Sequence, residues 1–195
     1  MAKISRESLM SLETYAKARN DFRSRIIAHK KNRTVEIGDH VILIFEDELT
    51  MRYQVQEMLR AERIFEEQGI QDELDAYNPL VPDGHNWKAT MMIQYADPIE
   101  RKDALAGLIG VEDKVWVAIE GYERVFAIAD EDMERENDDK TSAVHFLRFE
   151  LTPPMIAKAK QGAPISIGVD HGNYCVTVSP LSDGVRASLA DDLVA

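Results

Sequence analysis

Between Val35 and Phe45 apolar side chains fall on both parities of the chain: Val41, Leu43 and Phe45 on one, Ile42 and Ile44 on the other. A strand apolar on both faces is one covered on both sides, so this segment predicts a central strand. Upstream, residues 5–30 read as a helix opening at Ser5. Downstream, Asp47 stands as N-cap of a second helix, about 48–68, that ends near Gly69. Residues 75–87 (DAYNPLVPDGHNW) carry Asn-Pro and Pro-Asp-Gly and predict an irregular loop. Strand patterns follow at Lys88 to Tyr95, Lys114 to Glu120, Glu123 to Ala129 and Ser142 to Leu151, with a helix opened by Asp97-Pro98 and closed by Gly110. Gly121-Tyr122 has the length of a hairpin turn. Thr152-Pro153-Pro154 opens a short helix, Ile165 to Val178 forms a second hairpin around 170–173, and a last helix begins at Ser182. The pattern predicts an α+β fold with a largely antiparallel sheet of about seven strands and N-terminal and inserted helices. With no repeat and no Gly/Ser or Pro-rich linker, residues 1–195 are expected to form one domain.

Composition narrows the class. The chain is 45% hydrophobic and 30% charged, which is globular rather than disordered usage. Its single cysteine, Cys175, excludes an intramolecular disulfide and any cysteine-built zinc or iron-sulfur centre. The opening MAKISRESLM lacks the apolar run of a signal peptide, and no stretch of about 18 apolar residues is present, so a cytoplasmic protein without membrane contact is expected.

The net charge of -12 disfavours nucleic acid as a partner, because phosphates are repelled rather than neutralised. The charge is uneven. Residues 1–33 form a basic helical arm with nine Lys/Arg against three acids, +6, while the remainder carries -18. Such an arm either grips an anionic partner or lies against the protein's own acidic body or that of a second copy. The latter is the expectation, and with it a homo-oligomer.

Candidate chemistry is sparse. None of the five histidines pairs with another at the i, i+4 spacing of a helical metal site, so no metal and no cofactor are expected. His145 shares a strand face with Leu147 and Phe149 and reads as a buried histidine bonded to a carbonyl. His85 lies on a loop beside Asp83, Gly84 and Trp87, where functional groups concentrate. The acidic run 130–140 places Asp130, Asp132 and Glu134 as in a calcium loop. However, Arg135 occupies the position that needs glycine and Thr141 the one that needs glutamate, so a solvated loop is expected. In the helix at 48–68, Met51, Val55, Met58 and Phe65 form an apolar stripe with Glu62 in its middle. Glu62 is then a functional acid or metal ligand, the partner of an ion pair, or a rim residue of a helix whose stripe ends early; an ion pair with a group from another element, such as an arginine of the N-terminal helix or a histidine of a strand, is the expectation.

Several stretches together resemble a family of uncharacterised bacterial proteins known only as a domain of unknown function: IIAHKKNR (26–33), residues 45–84, KATMMIQY (88–95) and residues 122–151. The resemblance covers nearly the whole chain. It implies an accessory role beside rubrerythrin-like and iron-sulfur redox proteins in redox or peroxide stress, hence a redox-protein partner, and it carries no catalytic motif. The expected function is therefore a cytoplasmic, non-catalytic accessory or binding protein. The alternative is a small acid-base enzyme with Glu62 and His85 as its catalytic pair, in which at least two of Glu62, His85, His145 and Glu46 converge on one pocket.

Overall fold

Gly38 splits the first predicted strand in two. The computed structural model, which describes residues 3–131, 133, 135 and 139–194, has β1 (Thr34–Ile37) and β2 (Val41–Phe45) as an antiparallel hairpin. Gly38 turns the chain at φ +70°, and a Cβ there would sit 2.6 Å from the Tyr174 hydroxyl, so the turn needs glycine twice over. The segment 123–129 also divides. Val125–Phe126 (β5) pairs with Val115–Ile119 (β4), whereas Ile128–Ala129 (β6) crosses to Val144–Glu150 (β7). These two divisions turn about seven expected strands into nine among the described residues.

The strands form two antiparallel sheets, not one. The first has the order β1-β2-β3-β7-β6, with β3 at Asn86–Ile93. The second has the order β5-β4-β8-β9, with β8 at Ile165–His171 and β9 at Tyr174–Val178. Leu43, Phe45, Trp87, Met91 and Phe149 from the first sheet share one core with Val115, Val117, Ile119, Ile165 and Ile167 from the second. The first sheet therefore has one sealed face. On its other face Ile42 and Ile44 are only half-buried, because helices cover that side in part.

The helices are α1 (Leu12–Lys30), α2 (Glu48–Glu62), α3 (Glu67–Tyr77), α4 (Pro98–Gly107), α5 (Pro153–Lys160) and α6 (Asp183–Asp191). Tyr15, Phe22 and Ile26 of α1 pack with Leu49 and Tyr53 of α2. The basic arm lies on the chain's own acids: Arg6 meets Glu67 at 3.2 Å, Arg19 meets Glu57 at 2.7 Å and Arg33 meets Asp192 at 2.5 Å.

The predicted helix at 48–68 stops six residues early, which corrects the placement of Glu62. Arg63 adopts a left-handed cap at φ 56° and its N–H returns to the Leu59 carbonyl, ending α2. Phe65 thus leaves the helix and is 72% exposed. The buried stripe is Met51, Val55 and Leu59, and Glu62 falls outside it, exposed. The buried polar residues of α2 are Thr50 in its first turn and Gln56, whose amide pairs with the backbone of Met10. The expected ion pair with an arm arginine exists one turn earlier, at Glu57, which receives both Nε and Nη2 of Arg19 at 2.7 Å.

Candidate functional site

Glu46 is the residue on which the site turns. β2 ends at Phe45, and the Glu46 N–H still bonds the Lys88 carbonyl at 2.8 Å, so the residue sits at the end of the ladder. Asp47 then swings the chain into α2 through a capping box with Thr50. That box aims the Thr50 hydroxyl at Glu46 Oε2, 2.5 Å away, while Thr90 on β3 donates to Oε1 at 2.7 Å. Glu46 is 4% exposed, and among the described residues no cation lies within 4.0 Å of its carboxylate. Two hydroxyl donors and the positive end of α2 hold the negative charge in place of a counter-ion.

Glu46 lines a crevice of about 250 Å³ on the half-covered face of the first sheet. Phe146 lies on its floor with the strand backbone at Ala89 and Leu147, whose side chains belong to the sealed core on the opposite face, and Pro79 and Leu80, from the 3-10 turn Asn78–Leu80 after α3, form its roof. Lys88, Glu131 and Arg148 complete the lining. Arg148 is already engaged, by Glu131 at 2.8 Å and Glu150 at 2.5 Å. Lys88 is different. Its Nζ donates to the Pro79 carbonyl, and burial pulls its pKa below the usual lysine range. Among the described residues no carboxylate stands within 4.0 Å of it. Among the described residues, the crevice thus holds one anion and one cation without an ion-pair partner within 4.0 Å.

Behind Glu46 lies a second charged cluster. The Arg33 guanidinium, 1% exposed, donates to the main-chain carbonyls of Phe45 and Glu46 and to both oxygens of Asp192. Asp47 stands 3.4 Å from the same guanidinium and 2.6 Å from His29 Nε2. Burial would raise the Asp47 carboxyl, but Arg33, the Thr50 N–H and His29 outweigh it and hold it below the usual range. Every donor of Arg33 is spent inside the fold, so this cluster fastens elements together.

Glu112, Asp130 and His145 offer three ligand-type atoms within 4.8 Å of one another. Their arrangement suits hydrogen bonding better than a metal ion. Asp130 Oδ2 lies 2.6 Å from His145 Nδ1, whereas Glu112 approaches the opposite nitrogen, Nε2, at 3.8 Å. Nε2 is also 3.0 Å from both the Thr141 hydroxyl and the Ser142 carbonyl. One ion cannot take ligands from both edges of one ring in this pose. Asp130, at φ 48°, also accepts from the Phe146 N–H at 2.9 Å, so the constellation pins the end of β6 to β7. Asp132 and Glu134 of the calcium-like run lie outside the described residues.

Of the four groups expected to converge in an enzyme, Glu46 alone lines the crevice. His145 is sealed in the interior, bonded to a carbonyl as its strand face suggested. Glu62 and His85 are both exposed, Glu62 at the end of α2 and His85 before β3. Sequence reasoning passed over Lys88 and Thr90, whose only signal was their alternation with Trp87, Ala89 and Met91 along β3.

The model of the family described as "Protein of unknown function (DUF3501)" matches residues 3–193. The chain belongs to that family. The resemblance read from residues 26–33, 45–84, 88–95 and 122–151 therefore extends over nearly all of it. DUF3501 includes no assigned chemistry in its description, and a similar solved structure adds none. That structure is a crystal structure of a novel protein of unknown function from Burkholderia pseudomallei K96243. It is 55% identical, with a TM-score of 0.94, covering 99% of this chain and 100% of that one. No curated protein matches the chain.

Proposed function

We propose that this DUF3501 protein is a non-catalytic binding protein whose ligand enters the crevice roofed by Pro79 and Leu80. The observation that carries this reading is Glu46: a carboxylate 4% exposed, held by two hydroxyls and, among the described residues, no counter-ion, on the wall of a cavity floored by Phe146. Small-ligand sites combine apolar walls with a few such fixed polar groups. No histidine lines the crevice, and Glu62 and His85 stand exposed elsewhere, so the acid-base enzyme has less support. We further propose a cytoplasmic homo-oligomer. Service to a rubrerythrin-like or iron-sulfur partner rests on the family resemblance alone.

A thermal-shift screen of a small-molecule library tests the binding reading. Hits should stabilise the wild type and fail to stabilise Leu80→Trp, which fills the crevice. Hits that act equally on both proteins, or a library without hits, would overturn it.

A further inference from the structure

Glu46 and Lys88 are neighbours across the β2–β3 ladder, joined by the Glu46 N–H to Lys88 carbonyl bond of 2.8 Å, yet their side-chain charges do not meet. Thr50 and Thr90 hold the carboxylate at one place, and the Pro79 carbonyl holds the ammonium at another. Both line the same crevice. Opposite charges so close would ordinarily close on each other, since a half-buried ion pair gains from low dielectric. Fixed apart by their own hydrogen bonds, they present separate negative and positive ends to whatever fills the space between.

The remaining charges act on that polarity at longer range. Arg148 is held by both Glu131 and Glu150, a set with one negative charge in excess, and Asp83, Glu131 and Glu150 favour the Lys88 ammonium without standing within 4.0 Å of it. The side chains between the two ends, Phe146 on the floor and Leu80 on the roof, are apolar. The volume of about 250 Å³ falls below the roughly 300–1,000 Å³ of drug-sized sites, so the occupant is small.

Resting on the binding reading above, we infer that the crevice takes a small zwitterion with an apolar body, as an apolar α-amino acid presents, its ammonium on Glu46 and its carboxylate on Lys88. A simple cation would leave Lys88 with the Pro79 carbonyl as its hydrogen-bond partner and no carboxylate in contact among the described residues, and a simple anion would add no cation to the two hydroxyls on Glu46. Each missing charge forfeits a charge-assisted hydrogen bond in a partly desolvated site. The ligand needs both ends on one short frame.

Isothermal titration of the full-length protein tests this with L-phenylalanine and L-leucine against three blocked forms of phenylalanine. L-phenylalaninamide keeps only the ammonium, N-acetyl-L-phenylalanine keeps only the carboxylate, and N-acetyl-L-phenylalaninamide keeps neither. The free amino acids should bind roughly tenfold or more tighter than either singly blocked form, with the doubly blocked form weakest. Glu46→Gln, which keeps one threonine bond on its carbonyl oxygen and turns the other hydroxyl into an acceptor for its amide, should weaken the amino acids and the amide but not the N-acetyl acid. Lys88→Met should do the reverse. A singly blocked form that binds as tightly as the free amino acid would overturn the zwitterion while leaving the crevice as a site. So would crevice-dependent library hits alongside silence from all five compounds. Silence from the five together with a failed library screen would overturn both readings. Because the compound series uses the wild-type protein alone, misfolding of a variant does not blunt it.

Discussion

Arg33 grips both carboxylate oxygens of Asp192, at 3.2 and 2.5 Å, across 159 residues of sequence. The bidentate pair is buried at both ends and joins the chain after α1 to the end of α6. Removing one partner strands the other without compensation. Arg33→Met should therefore destabilise the protein by about 3–5 kcal/mol in denaturant melts, well beyond the loss of a surface pair. A cost under about 1 kcal/mol would mean that water reaches the cluster.

The same pair sets a pH dependence. Burial, aided by the charge of Asp47 and opposed by Arg33, pushes the Asp192 carboxyl up to about 6. The unfolded value is about 3.9, so between these limits the folded protein binds the extra proton. The contribution of Asp192 is then fullest below about pH 4 and is lost as pH rises through 6. Wild type should gain stability relative to Asp192→Asn as pH falls from 7 to 4. The opposite slope would show that Arg33, not burial, governs the carboxyl.

Glu57 titrates with the other sign. Its hydrogen bond from Arg19, supported by Tyr15 and Arg60 and opposed by burial, holds the carboxyl down to about 2. Its stabilisation is present above about pH 4.3 and disappears as pH falls toward 2. At neutral pH Glu57→Gln should cost about 1–3 kcal/mol. Glu62→Gln should cost less than about 0.5 kcal/mol, since Glu62 is exposed. Melts that reverse this order would return Glu62 to the core.

Both nitrogens of His145 face acceptors, Asp130 on one side and the Ser142 carbonyl on the other. His145→Phe keeps a ring but removes the imidazole partner of Asp130 Oδ2 and of the Ser142 carbonyl in the interior, and should cost about 3–5 kcal/mol. Added zinc should leave the wild-type melting temperature unchanged, and elemental analysis should find no stoichiometric transition metal. About one metal per chain would show that the ring turns to bind it.

What the sequence made legible follows from local periodicity. Alternation along 88–95 and 142–151, the Asp97-Pro98 cap and the hairpin at 165–178 all stand in the structure, because each depends on neighbours a few residues away. Assigning the strands to two sheets was not legible. Ala127 hands the chain from β4 to β7, a change of partner that no residue type there announces. The Glu62 expectation failed for a related reason. Arg63 in a left-handed cap is a conformation usually left to glycine or asparagine, so periodicity ran past the end of α2. Glu46 stands in the sequence only as one of four groups an enzyme would bring together, because its meaning lies in the lack of a counter-ion among the described residues around it, and only tertiary placement reveals that.

Trp87 is wholly buried at the base of β3, and its indole N–H is satisfied by the Leu189 carbonyl of α6, 2.8 Å away. Arg33 likewise waits for Asp192 at the end of the same helix. During synthesis, then, Trp87 of β3 leaves the ribosome about 102 residues before the Leu189 carbonyl and Arg33 about 159 before Asp192, with an indole and a guanidinium still unanswered. The ribosome-bound nascent chain should stay loose around β2 and β3 until α6 is made, leaving the Glu46 and Lys88 wall of the crevice open to chaperones until then.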